Sequence, residues 1–348
     1  MAVPDDMTIS FAILVFVLAG GLSAGLIWSL LKAHSRLLAS DIPNQRSLHR
    51  NSTPRGAGLA IAITVGAVAL AASLYFPVRP AALGLAGVLI GTALLGFLDD
   101  HLSLSVRLRI AVGILLSVIT AFLTIFSETW VLFGQLFYFP KAFVVLPIAL
   151  CLFWTKNLVN FMDGADGLVG VHSLLINMVL SYWFWLHGGS GLALLCMANA
   201  GATFGFLVFN WAPAKVFLGD SGSLFLGAWL GVSMVLGANH YGIPVEAFLV
   251  LGGFLFFDST FTLFRRMLMG RNLLSAHREH LYQRLVLSGW SHSSVAVATG
   301  ILTCLMALIA NVIVTRPELG SWLFLSATAI LALFGGYVVA KGKTRPAQ

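Results

Sequence analysis

The chain has 348 residues, of which 59% are hydrophobic and only 9% charged; its net charge is +7 and its mean hydropathy +0.93. A soluble domain of this composition could not cover its surface with polar groups, and nothing alternates as barrel strands do. Apolar stretches of about 20 residues recur, each long enough to cross a ~30 Å hydrocarbon core as a helix, so the chain reads as an all-α, polytopic membrane protein in one domain, 1–348.

Ten to eleven spans are expected. The eleven fall at roughly 9–31, 57–76, 81–98, 107–126, 143–160, 167–186, 191–209, 218–237, 244–264, 293–314 and 319–340. The run 130–139, with Trp130 and Tyr138, is too short to span and reads as interfacial. Asp5 and Asp6 stand where a cleaved signal would carry basic residues, so the first run reads as a retained span. Lys32 and Arg36 follow it, which puts the N-terminus outside (periplasmic) and the C-terminus inside. On that topology 17 Lys and Arg, Lys156 among them, fall in inside loops and 3 outside, a strong positive-inside bias. The net charge therefore reports topology and suits anionic lipid or phosphate; scattered over short loops, it gives no case for nucleic acid. Cys151, Cys196 and Cys304 all sit in apolar spans, without metal or disulfide spacing, and read as core.

The polar clusters converge on the inner face, through loops 32–56, 99–106, 161–166, 210–217 and 265–292. Asp99 and Asp100 end the third span. Adjacent carboxylates at a helix C-terminus are disfavoured by the dipole and by each other, so they read as a magnesium- or phosphate-handling pair or as a solvated loop. Arg107 and Arg109 follow, as phosphate contacts or topology markers. Asn157, Asn160, Asp163 and Asp166 come next at three-residue intervals. Gly164 and Gly167 argue for a break there, with Asp163 or Asp166 able to cap the sixth span. In NWAPAKVFLGDSGS, from Asn210 to Ser223, small residues flank Asp220, a candidate metal ligand to which a ligand could approach closely. Phe217 stacks on a base or packs in the core. In AHREHLYQRL, His277, Arg278 and His280 read as a phosphate site, an interfacial amphipathic helix, or a weak zinc pair. Away from the ends of the spans, the acid is Asp258, toward the inner end of the ninth.

Together these motifs resemble the polyprenyl-phosphate N-acetylhexosamine-1-phosphate transferases. The residues that carry the resemblance are Asp99-Asp100, the N-x-x-N-x-x-D-G-x-D-G-L run from Asn157 to Leu168, PAKVFLGDSGS from Pro213 to Ser223, and the histidine loop; it extends from DIPNQRSLHRNSTPRGAG at 41–58 to the last spans. The resemblance implies transfer of an N-acetylated sugar-1-phosphate from a UDP-sugar to undecaprenyl phosphate, releasing UMP, at a site on the cytoplasmic side of a bacterial inner membrane. It implies Mg²⁺, with Mn²⁺ able to substitute, on Asp220 and Asp163. It puts Asp99 and Asp100 at the lipid phosphate or as base, and Asn160 and Asp163 at the catalytic centre. Asp166, Asn210 and Phe217 would lie around the uracil, and His277 would meet the nucleotide phosphates. Family members carry three consecutive histidines or an H-x-H-H run; His277-Arg278-Glu279-His280 departs from both. That points away from the peptidoglycan branch and toward the O-antigen-initiating one, with GlcNAc or a 6-deoxy sugar as donor. A homodimer is also a family expectation, and Gly20, Gly21, Gly252 and Gly253 would permit close helix packing.

A lipid phosphate monoester is largely ionised, since its second pKa is about 6, so direct attack on the β-phosphorus is expected; a covalent aspartyl-phosphate is the alternative. Two other classes compete. The CDP-alcohol phosphotransferase pattern is absent. A flippase for lipid-linked sugars would want midplane charge, for which Asp258 is the one candidate.

Overall fold

A computed structural model of the chain describes residues 9–41, 52–74, 80–272, 275 and 277–342. The expectations placed on Asp5, Asp6, Arg46, Arg50, Arg79, Lys343 and Arg345 lie outside these residues. The described chain is a bundle of helices: α1 Ile9–Lys32, α2 Gly58–Ser73, α3 Pro80–Leu102, α4 Val106–Thr124, α5 Lys141–Met162, α6 Leu168–Leu186, α7 Ser190–Asn210, α8 Gly219–His240, α9 Val245–Leu251, α10 Gly253–Leu268, α11 Leu281–Leu287, α12 His292–Thr315 and α13 Gly320–Gly342. Among the described residues nine helices are long and apolar enough to cross a membrane. A tenth span is broken: α9 and α10 meet at Gly252 with a bend of 80°. The remaining predicted span is α2, whose 16 residues rise about 24 Å, short of a ~30 Å core.

Two small antiparallel hairpins complete the fold. β1 (Ala39–Asp41) pairs with β2 (Thr53–Arg55), and β3 (Thr129–Leu132) with β4 (Gln135–Tyr138). The second is the run expected to be interfacial; its β4 face is exposed, with Leu136 and Tyr138 outermost. Buried Asn239 accepts the amides of Phe126 and Ser127, and buried Glu246 accepts that of Phe133, so the bundle holds this hairpin by its backbone.

Helix α8 is the central post and is almost wholly enclosed, whereas α1 and α13 are largely exposed. Glycine makes that possible, because a residue without Cβ lets two backbones touch. A Cβ on Gly222 would stand 2.6 Å from the Gly58 Cα of α2, and one on Gly227 2.5 Å from the Lys156 Cα of α5. From α3, a Cβ on Gly96 would stand 2.2 Å from the Asp220 carbonyl oxygen. The small residues around Asp220 therefore serve helix contact. Glycines tied to dimer packing are also used within the chain: a Cβ on Gly20 would meet the Gly201 carbonyl of α7 at 3.2 Å, and one on Gly253 would meet Leu331 at 3.1 Å. Cys196 is buried as expected, but Cys151 and Cys304 lie on the outer surface of the bundle.

Candidate active site

Where α3, α5, α7 and α10 end and α4, α6, α8 and α12 begin, a cavity of about 790 Å³ opens. Twelve of the predicted site residues line it: Asp99, Asp100, Arg109, Asn157, Asn160, Asp163, Asp166, Asn210, Phe217, Asp220, His277 and His280. Arg107 is exposed on α4 and does not line it, nor does Arg278.

The paired aspartates have separate tasks. Asp99 receives Arg109 Nη1 at 2.5 Å and the Leu104 amide at 2.9 Å, which closes the α3–α4 turn. Asp100 is buried and accepts the amides of Asp220 and Ser221, at 3.1 and 3.2 Å. Its carboxylate thus caps the start of α8, where free N–H groups and the positive end of the dipole favour an anion. Arg55 completes the arrangement, with Nε 3.5 Å from Asp100 Oδ1 and Nη2 donating to the Asp100 carbonyl at 2.8 Å. Asp220, held in place this way, is about a third exposed to the cavity. Its Oδ1 accepts from Asn160 Nδ2 at 2.8 Å, and the same amide nitrogen donates to Ser223 Oγ. Arg109 Nη1 stands 3.9 Å from Asp220 Oδ2, between the two acids.

The four residues at three-residue spacing divide between helix and turn. Asn157 turns back on its own helix, donating to the Phe153 carbonyl at 2.6 Å, while Asn160 faces Asp220. Asp163 ends α5 at its C-cap. Neither Asp163 nor Asp166 caps α6: the N-cap is Gly167 at φ +75°, with no side-chain cap bond. Asp166 instead accepts the Ala214 amide at 3.1 Å and lies 3.3 Å from His292 Nδ1. Asn210 bridges the two loops, accepting from the Gly167 amide and donating to the Val216 carbonyl, both at 2.9 Å. Its amide thus organises the wall where the uracil was expected. Phe217 is half-buried, its backbone bonded to Pro54, Gly56 and Ala57.

Burial pushes the Asp163 carboxyl well above its usual range, and the carboxylates of Asp220, Asp100, Asp166 and Asp41 add to the shift. That crowding is what a dication relieves. Mg²⁺ takes oxygen ligands, typically one or two carboxylates with water and substrate phosphate completing the shell. Asp163 and Asp220 fit that donor set. Among the described residues no three His, Cys, Asp or Glu side chains are grouped as a metal site.

On the far wall, His280 is buried and lies 3.3 Å from Asp258 Oδ1. Asp258, itself fully buried, accepts the amides of Leu281 and Tyr282 at 2.7 and 3.0 Å and so caps α11. It is a structural anchor for the histidine loop, which removes the support it lent to a transport path. His277 stacks obliquely on His280, with centroids 5.0 Å apart. The expected amphipathic helix is reduced to the seven residues of α11, and residues 277–279 form a loop.

Four ionisable lining residues carried no assigned site role from sequence: Asp41, Arg55, Lys156 and His292. Asp41 and Arg55 bracket the quoted 41–58 stretch, which was their only signal. Lys156 was counted as a loop residue, but it is buried in α5.

Comparison with known proteins gives consistent matches. Residues 81–238 match glycosyl transferase family 4. A probable undecaprenyl-phosphate N-acetylglucosaminyl 1-phosphate transferase of Bacillus subtilis is 30% identical, over 85% of this chain and 82% of its own. The decaprenyl-phosphate N-acetylglucosaminephosphotransferase of Mycobacterium tuberculosis H37Rv is 31% identical, over 80% and 77%. The undecaprenyl-phosphate alpha-N-acetylglucosaminyl 1-phosphate transferase of Escherichia coli K12 is 27% identical, over 86% and 83%.

Proposed function

The chain belongs to the polyprenyl-phosphate N-acetylhexosamine-1-phosphate transferases, and from that premise we propose that it transfers an N-acetylated hexosamine-1-phosphate from a UDP-sugar to undecaprenyl phosphate, releasing UMP. The observation that carries the reading is the meeting of Asp99, Arg109, Asn160, Asp163 and Asp220 in one cavity where membrane helices end. Phosphoryl transfer asks a protein for alignment and charge neutralisation more than for covalent chemistry. A lipid tail and a water-soluble nucleotide can meet only at such a boundary.

The residues divide that work. Asp163 and Asp220 would hold Mg²⁺, or Mn²⁺ in its place, and a dication there offsets the charge on the phosphoryl oxygens. Arg109 offers a fixed positive charge beside them. Asp100, with both oxygens taken by α8 amides, positions Asp220 rather than moving a proton. Asp99 is similarly engaged by Arg109. Both arrangements favour direct attack by the already ionised lipid phosphate on the β-phosphorus. The nucleotide would lie toward Asp166, Phe217 and His277. This reading puts the cavity on the cytoplasmic face of a bacterial inner membrane, at the first membrane step of O-antigen or a related envelope polysaccharide. N-acetylglucosamine is the sugar named for the relatives, so UDP-GlcNAc is the first donor to test, with 6-deoxy N-acetyl sugars beside it.

UMP release by the purified, detergent-solubilised protein tests this, with undecaprenyl phosphate, Mg²⁺ and a panel of UDP-N-acetyl sugars. We expect release that needs both lipid and metal, and a drop of about 100-fold or more in Asp220→Asn, as for loss of a group acting on transition-state charge. A folded wild-type protein that releases no UMP with any donor would overturn the reading.

A further inference from the structure

Lys156 is an ionisable side chain inside a membrane helix and is 3% exposed. Its Nζ donates to the Gly113 carbonyl of α4 at 2.6 Å and lies 5.6 Å from the Phe153 ring. An ammonium has three donors and no acceptor. The carbonyl uses one of them, and among the described residues no carboxylate forms an ion pair with this lysine. A cation buried in a span is costly, and such groups mark substrate paths. The surroundings are shaped around it. A Cβ on Gly227 of α8 would stand 2.5 Å from the Lys156 Cα, and one on Gly113 3.0 Å from Phe153 and 3.7 Å from Nζ itself.

Lys156 also lines the cavity. It lies four residues before Asn160 and seven before Asp163, about 6 and 10 Å toward the membrane interior along α5. There the wall is Ile110, Phe153, Trp154 and Leu224, whereas Asp41, Arg55, Asp166 and His292 line the loop end. An ionic, water-soluble nucleotide suits the loop end. A phosphate carried on an apolar chain suits the other. One turn from Gly113 toward the loops, Arg109 reaches Asp99 and Asp220, so a phosphate passing from Lys156 to the carboxylates would stay beside a cation throughout.

We infer that Lys156 recognises the phosphate of the polyprenyl-phosphate acceptor at the membrane end of the cavity, an assignment that rests on the transferase reading. A lysine that merely ties α4 to α5 is the competing role. Lys156→Gln separates them, because an amide can still donate to the Gly113 carbonyl but carries no charge. Two readouts apply to the full-length protein in detergent. In the first, undecaprenyl phosphate, but not undecaprenol, raises Tm in the wild type and Lys156→Arg, and fails to do so in Lys156→Gln. In the second, Lys156→Gln raises KM for undecaprenyl phosphate about 10-fold or more, the worth of one hydrogen bond to a charged group, and leaves KM for the UDP-sugar unchanged. Lys156→Met replaces the Gln variant if that one does not fold. A retained Tm response in the uncharged variant, or a KM change confined to the UDP-sugar, would overturn the assignment. A wild type that releases no UMP but shows the Lys156-dependent Tm response would instead remove the transferase reading and leave the phosphate site standing.

Discussion

Asp163 is the side chain on which the site's electrostatics concentrate. It ends a helix, half-buried, with four other carboxylates acting on it, and burial is the largest of the effects that raise its pKa above the ordinary 3.8. The sign of the consequence is fixed. The folded state holds this proton more tightly than the unfolded one, so stability from this group is greatest below about 3.8 and declines as pH rises through the raised folded value. In cation-free protein, Asp163→Asn should therefore raise Tm at pH 8 and leave it nearly unchanged at pH 4, measured by thermal unfolding in detergent with EDTA. A lower Tm at pH 8 would mean the carboxylate is stabilised by contacts rather than strained by neighbours. Residue type and spacing singled out Asp163 and Asp220 in the sequence. It could not separate Asp99 from its neighbour Asp100. That difference is made by Arg109 on one side and by the α8 amides on the other, partners 10 and about 120 residues away.

Helix ends and loops depend on single acids in the same way. Asp258 accepts two backbone amides at the start of α11, with Thr262 and His280 on the same carboxylate. Asp258→Ala leaves those buried donors unsatisfied, and the expected cost is on the order of 3 kcal/mol, read as a lower Tm in detergent, together with loss of UMP release as the histidine loop detaches. A stable variant with normal loop protection would show that α11 is held some other way. Glu279 does for arginines what Asp258 does for amides. Arg265, Arg266, Arg271 and Arg284 all pair with it. Burial alone would raise its pKa, but the Arg271 hydrogen bond and the charges of Arg266, Arg271 and Arg265 outweigh that and hold it below 4.5. Its contribution is thus present above 4.5 and lost as pH falls through the lower folded value. Hydrogen exchange of amides 279–285, corrected for intrinsic rates, should show protection at pH 7 that falls in acid, and Glu279→Gln should remove that pH dependence. Sequence reading treated Glu279 as a bystander between His277 and His280, because its arginines come from α10, α11 and the loop between them.

At the scale of the whole molecule, helix contacts at glycine determine how closely the site's walls approach. Position 205 on α7 is one such contact away from the cavity, since a Cβ there would stand 2.3 Å from the Gly20 carbonyl of α1. Gly205→Val should cost about 3 kcal/mol or more, as overpacking does at its upper end, seen as loss of folded monomer in size-exclusion chromatography and thermal unfolding. Gly21 has nothing within 4 Å of its would-be Cβ, so Gly21→Val should change Tm by no more than about 0.5 kcal/mol equivalent. A comparable loss from both would mean that the outer face of α1 is covered as well.

Composition and apolar length alone determined that this chain is a helical membrane protein, because the hydrocarbon core satisfies no backbone polar group and only complete helices meet that demand here. Residue type and local spacing, together with the family resemblance, also singled out twelve of the side chains that line the cavity, since polar groups in so apolar a chain have few other reasons to be present. Tertiary structure decided what spacing cannot carry: that the ninth span is broken at Gly252, that Asp100 and Asp258 spend their charge on distant helix ends, and that Lys156 is inside rather than on a loop. Each of those depends on contacts between residues far apart in the chain, where the hydrogen-bond partner, not the residue, sets the role.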